Sequence, residues 1–157
     1  MIQEKKPMPS GELSQLKDGN MITHKTDELF VNKKVVLFAV PGAFTPTCSA
    51  AHLPGYVVSA DELKTKGVDA IICLSVNDAF VMNAWGEAQN AENIMMLADG
   101  DGSYTKALGL SMETAGFGGL RSQRYAMVIE NGIVINLHVE KPKEFEVSKA
   151  EAILKTL

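Results

Sequence analysis

Hydrophobic positions along the chain fall into short dense runs separated by amphipathic stretches, a pattern that predicts strands and helices taking turns. Lys34–Val40 (KVVLFAV) is a continuous apolar, β-branched run, as in a strand buried on both faces. Asp69–Val76 (DAIICLSV) is a second such run, and Asn93–Ala98 a shorter third. Between the first two, residues 46–66 are predicted helical, with a bend at Pro54-Gly55. Asp78 is placed to cap a helix running to about Gln89, and DGDGS at 99–103 is a turn into a short helix near Thr105–Leu108.

Hairpins frame this middle. Residues 12–17 and 21–24 flank Asp18-Gly19-Asn20, whose residues suit positive φ. Arg124–Ile129 and Ile133–Val139 flank Glu130-Asn131-Gly132, and Asn-Gly is the strongest short hairpin signal. Ser148–Leu157 opens with Ser148 and Glu151 at capping-box spacing and closes the chain as a helix. The order is β-α-β-α-β, then β-β-α. Alternating units imply parallel strands with helices on both faces, and the late hairpin adds antiparallel ones. The expected fold is α/β and thioredoxin-like, a central mixed β-sheet flanked by helices with an N-terminal β-hairpin. No repeat or linker interrupts it, so residues 1–157 form a single expected domain.

Composition narrows the function classes. At 157 residues, 46% hydrophobic and 22% charged, the chain suits one soluble globular domain. A chain of that size buries roughly two thirds of its unfolded surface without help from disulfides or metals. Fifteen basic against nineteen acidic side chains give −4, which argues against a nucleic-acid binder. Two cysteines are too few for a disulfide scaffold or a Cys-only zinc site. MIQEKKP lacks the apolar core of a signal peptide, and the most apolar stretch falls short of the ~18 residues of a membrane span. A cytoplasmic protein with reduced thiols is expected.

Most candidate motifs fail. DGDGS alternates Asp99, Asp101 and Ser103 like a calcium loop, but Tyr104 and Leu110 stand where Gly and Glu are required. GFGG at 116–119 follows no strand and lacks a Lys-Ser/Thr partner. His24, His52 and His138 carry no metal spacing. Acidic pairs such as Asp61-Glu62 read as a solvated helix face.

VVLFAVPGAFTPTC does not fail. It sets a cysteine just after a buried strand, at the start of a helix, with Thr45 as N-cap, Pro46 at N1 and Cys48 at N3. A thiol there faces unpaired N–H groups and the positive helix end, which favours the thiolate. For an arbitrary cysteine, a small buried hydrophobe is the commoner role. The agreement of cap, proline and cysteine with the preceding strand favours a reactive thiol. Magnitudes say what else is needed. An ordinary thiol of pKa ~8.5 is about 3% ionised at pH 7, and lowering that value to about 6 takes roughly 3.5 kcal/mol. A helix end supplies about 0.3–1 kcal/mol, so a fixed cation must do the rest.

RYAMVI offers one. Ala126 and Val128 share a face with Arg124, Tyr125, Met127 and Ile129 share the other, and both faces are apolar. The strand is therefore central, with Arg124 at its mouth, where a charge is costly without an anionic partner. A guanidinium that reaches solvent or pairs with a carboxylate is the plainer possibility. Arg121, three residues earlier, is the rival and would point the opposite way if the strand reaches that far.

PGAFTPTCSAAHLPGY contains P-x-x-x-T-x-x-C as Pro41, Thr45 and Cys48. With LSVNDAFVMNAWG, LADGDGSYTKALGL and RSQRYAMVIENG, the chain resembles the type II, or peroxiredoxin-5-like, subgroup of peroxiredoxins over nearly its whole length. The resemblance implies a thioredoxin-like fold and reduction of hydrogen peroxide and organic hydroperoxides without metal or bound cofactor. It makes Cys48 the peroxidatic cysteine and has Thr45 hydrogen-bond the sulfur and the peroxide. Pro41 shields the pocket, and Arg124 matches the arginine that activates both partners. A homodimer contacting near the active-site loops is implied as well. Phe44 and Phe117 could exclude water and admit alkyl hydroperoxides, although core or dimer packing is the simpler expectation for both.

Regeneration is less determined. Cys73 lies inside IICLSV, where a buried, unreactive thiol is the default. Some members of the family resolve the sulfenic acid with a distant cysteine, but KPKEFEVS has none. A Cys48–Cys73 disulfide would require the first helical turn to unwind, because bridged Cα atoms lie within ~7 Å. An external thiol is favoured, with glutathione or glutaredoxin ahead of thioredoxin, and internal resolution by Cys73 second. Two other classes remain. A dithiol oxidoreductase, or a redox-sensing or binding module, would need C-x-x-C, and Thr45 occupies the first position. A cysteine hydrolase would need His52, at i+4 from Cys48, as its base.

Overall fold

The computed structural model describes residues 1–157. Lys34–Ala39 forms strand β3, the apolar run expected at the centre. It pairs in parallel with β4, Ala70–Ser75, and antiparallel with β8, Tyr125–Glu130. β5, Met95–Ala98, lies parallel to β4 on its far side. The hairpin of β1, Glu12–Lys17, and β2, Asn20–Lys25, extends that edge. β9, Ile133–Val139, pairs with β8 at the other. The seven strands run β2-β1-β5-β4-β3-β8-β9, a mixed sheet with the parallel strands inside. Both outer hairpins turn where φ is positive at two successive residues, Asp18-Gly19 and Asn131-Gly132, as a two-residue connection matching the strand twist requires.

Alternation along the central strands splits the core into two layers. Val36, Phe38, Ala126 and Val128 face a layer closed by three helices: α2 (Leu53–Thr65), α3 (Ala79–Ala88) and α5 (Ala150–Leu154). Val35, Leu37, Met127 and Ile129 face the other, closed by α1 (Thr26–Phe30) and α4 (Ser103–Leu108). Burying one such side chain contributes about 1.5–3 kcal/mol, so register is strongly specified on both faces.

Four expectations need correction. The helix expected over 46–66 ends at Thr65, and its irregularity is a π-turn over Cys48–His52, where the Leu53 N–H reaches the Cys48 carbonyl. Pro54 has no N–H to give and crowds the carbonyl four residues back, so the wider turn precedes it instead of a bend at it. The Ser148–Glu151 capping box does not form. α5 starts at Ala150 without a side-chain cap, and the Ser148 hydroxyl donates to Glu140. α1 was not expected. Nor was a small ribbon of β6, Ser111–Glu113, with β7, Leu120–Ser122. That ribbon separates Arg121 from the main sheet and leaves Arg124 in the link just before β8.

Candidate active site

Beyond β3 the chain enters a tight loop before its helical turn. The Ala43 N–H donates to Asn77 Oδ1 at 3.0 Å, which ties the loop to the end of β4. Thr45 Oγ1 donates to the Gly42 carbonyl at 2.6 Å, and the Thr45 carbonyl accepts from the Ser49 N–H at 2.9 Å. Thr45 thus occupies the N-cap position through its backbone, while its hydroxyl closes the loop. The expected bond from Thr45 to the sulfur is not formed. A Cβ on Gly42 would stand 3.1 Å from Thr45 Cγ2, so the close packing here leaves room only for glycine without a shift.

Cys48 is fully buried at 0% exposure, and Arg124 Nη2 donates to its sulfur at 3.0 Å. Arg121 does not compete. Its Nε donates to the Gly118 carbonyl at 3.0 Å and its Nη1 to the Val76 carbonyl at 3.3 Å. The guanidinium holds the sulfur by a charge-assisted hydrogen bond and sets a fixed cation against it. The Arg124 Cζ atom also sits 5.7 Å from the centre of the Phe145 ring, which limits its approach from that side.

Sequence reasoning named the third member only as the base a cysteine hydrolase would need. His52, 1% exposed, accepts from Arg124 Nη1 at 2.8 Å through Nδ1, and its Nε2 lies 3.2 Å from the Ser148 carbonyl. Its ring lies 5.0 Å from both Phe38 and Phe145. Burial, and then the Arg124 charge, push its pKa down to about 3. A neutral imidazole bonded to a guanidinium and a carbonyl is no base for Cys48, which removes the cysteine-hydrolase possibility. The Ser148 carbonyl also accepts from Tyr56 Oη at 2.8 Å. Glu140 Oε2 accepts in turn from Ser148 N, Ser148 Oγ and Glu146 N at 2.9, 2.6 and 2.7 Å. Burial raises the Glu140 carboxyl, but these bonds outweigh it and hold the group below its ordinary value. A line of hydrogen bonds therefore joins Cys48, Arg124, His52, Ser148 and Glu140. The i+4 spacing of His52 was its only signal; Ser148 was marked only as a helix cap, and nothing local marked Glu140.

The remaining candidates scatter. Pro41 is half-buried and, with Thr47 and Arg124, borders a cavity of about 520 Å3. Cys73 is fully buried in β4, where burial, with Cys48 adding to it, pushes its thiol well up. Phe44 and Phe117 are 56% and 82% exposed, so of the expected core or dimer packing the core alternative is excluded for both. Phe44 also takes φ +60 and stands 6.5 Å from the ring of Trp85.

A family model described as Redoxin matches residues 3–154. Peroxiredoxin-2D of Arabidopsis thaliana is 47% identical over 153 residues, which cover 96% of this chain and 94% of that protein. Hybrid peroxiredoxin hyPrx5 of Haemophilus influenzae is 49% identical over 138 residues, covering 84% of this chain and 56% of that protein. Among solved structures, reduced Prx3 from Vibrio vulnificus in complex with hydrogen peroxide is 68% identical, with a TM-score of 0.98 and 99% of each chain covered. Oxidized Prx3 from the same organism is 69% identical with a TM-score of 0.94, and both chains are covered completely.

Proposed function

The chain belongs to the peroxiredoxins, thiol-dependent peroxidases of thioredoxin-like fold, and from that premise we propose how its own residues divide the work. The Cys48 thiolate attacks one oxygen of hydrogen peroxide or an organic hydroperoxide. A sulfur–oxygen bond forms and the O–O bond breaks. The leaving oxygen departs as water or alcohol once it takes a proton, and the sulfur becomes a sulfenic acid. Arg124 holds the thiolate and stabilises charge on the leaving oxygen. Thr45, its hydrogen given to Gly42, offers lone pairs to a peroxide O–H, and Pro41 shields the pocket. The single observation supporting this division is the 3.0 Å separation of Arg124 Nη2 from the Cys48 sulfur.

An external thiol completes the cycle, with glutathione or glutaredoxin favoured. The burial of Cys73 at the middle of the sheet supports an external donor over an internal disulfide. The active enzyme is a homodimer in this reading. The exposure of Phe44 and Phe117, on loops that Arg121 ties to the neighbourhood of Gly42, supports it. Two free thiols suit a reducing cytoplasm. The deciding experiment oxidises the protein with one equivalent of hydrogen peroxide, then offers glutathione, glutathione with glutaredoxin, and thioredoxin separately. Reduction by either of the first two is expected. Reduction by thioredoxin alone would overturn the choice of donor.

A further inference from the structure

The cations around Cys48 do not stop at Arg124. The cavity of about 520 Å3 beside it is of a size that holds small organic ligands, and Lys141, Lys143 and Phe145 border it together with Pro41 and Thr47. Three cations thus meet at one hollow in a chain of net charge −4. Of the two carboxylates there, Glu140 spends Oε2 on Ser148 and Glu146 and keeps Oε1 buried without a partner, and Glu144 stands on the same loop, so the cations outnumber the carboxylates by one. Neither lysine is in an ion pair; the two pairs in the chain are Lys34–Glu130 and Lys149–Glu146.

The backbone adds an independent sign. Lys141-Pro142-Lys143-Glu144 is a turn closed by the Glu144 N–H on the Lys141 carbonyl at 3.0 Å, with Lys143 at φ +67. That third position after a proline favours glycine, and a longer side chain is strained there. The side chain present is a cation. Hydrogen peroxide, small and neutral, has no use for cations beyond Arg124.

We infer that this hollow receives the carboxylates of a small anionic thiol, such as glutathione, which reduces the oxidised Cys48. The inference rests on the external-thiol reading given above. Cys48 lies across Arg124 from the hollow, and the wide turn over 48–52 gives way when the two sulfurs meet. The incoming sulfur bonds to the Cys48 sulfur, and the S–O bond breaks. Hydroxide leaves, taking the thiol's proton to become water, so the Cys48 sulfur is reduced and the thiol oxidised to a mixed disulfide. A second thiol attacks the ligand sulfur of that bond, releasing the symmetrical disulfide and the Cys48 thiolate.

The test uses the whole protein, pre-oxidised with one equivalent of hydrogen peroxide, and thiols differing in charge: glutathione, neutral 2-mercaptoethanol and cationic cysteamine. In Lys141→Glu/Lys143→Glu, the ratio of the glutathione to the 2-mercaptoethanol rate constant should fall about tenfold at low salt, and the cysteamine ratio should rise. Lys141→Arg/Lys143→Arg should keep the wild-type ratios, and added salt should erode the wild-type preference for glutathione. If charge reversal leaves all ratios unchanged while wild type uses glutathione, the subsite is wrong and the external-thiol reading stands. If no small thiol reduces the wild-type protein, the subsite falls, and if glutaredoxin with glutathione fails as well, the external-thiol reading falls with it. Slower oxidation of Cys48 by a carboxylate-bearing hydroperoxide, with the thiol ratios intact, would assign the hollow to the peroxide and overturn the inference.

Discussion

Nη1 of Arg124 lies 2.8 Å from Nδ1 of His52, and this bond sets the protonation of the imidazole nearest the reactive sulfur. A guanidinium only donates, so Nδ1 accepts and Nε2 carries the hydrogen given to the Ser148 carbonyl. The ring in turn holds the guanidinium in the plane that aims Nη2 at Cys48. One arginine therefore bridges a neutral ring nitrogen and a sulfur, and each fixes its grip on the other.

That bridge needs a forked cation. Arg124→Ala should slow oxidation of Cys48 by hydrogen peroxide about 10²–10³-fold, and Arg124→Lys should recover little, because an ammonium lacks the fork. Trp85 is the sole tryptophan and donates to Ser49 beside Cys48, so its fluorescence in stopped flow reports the step. Arg121→Ala should cost far less in the same assay. An equal loss from Arg121→Ala would contradict the assignment.

His52 also gives stability a pH dependence. Its pKa in the fold, about 3, lies below its ordinary 6.5, so between those values the unfolded chain binds a proton that the folded chain refuses. The sign follows. Stability is full above about pH 6.5 and is lost on acidification toward 3, by at most about 1.4 kcal/mol per pH unit. Urea denaturation at pH 7 and pH 5 should show the fall, and His52→Asn should flatten it.

Glu140→Gln should destabilise the protein by about 1–3 kcal/mol, since three bonds to a carboxylate become bonds to a neutral amide. The folded pKa of Glu140 is lowered, so its contribution is present above the ordinary carboxylate value and fades as pH falls through it. Chemical denaturation of the variant at pH 7 measures the difference. At low pH, wild type and variant should converge.

How much of this was visible in the sequence depended on distance along the chain. Pro46 and the run before it marked Cys48, because strand burial and helix initiation leave local signals. Arg124 stood out because a charge entering an apolar strand needs a partner. The partner of His52 lies in another segment, and Ser148, read as a helix cap, instead meets Glu140 across a loop that only the folded sheet closes. β6 and β7 are three residues each, too short for alternation to register.

Cys73→Ala should leave peroxidase turnover with an external thiol unchanged, because the side chain is sealed between β3 and β5. After one equivalent of peroxide, intact mass should rise by one oxygen in wild type and variant alike. A loss of two hydrogens in wild type that the variant no longer shows would instead make Cys73 the resolving thiol.

The π-turn at Cys48–His52 leaves slack in the chain at the one place where the sulfur must be uncovered. An overfull turn can be paid out ahead of Pro54 while α2 and the sheet stay seated. Opening is thereby confined to a few residues, and the enzyme can surrender a fully buried cysteine to a visitor without loosening the rest of its interior. Amides over 47–52 should exchange with solvent well before those from Tyr56 onward.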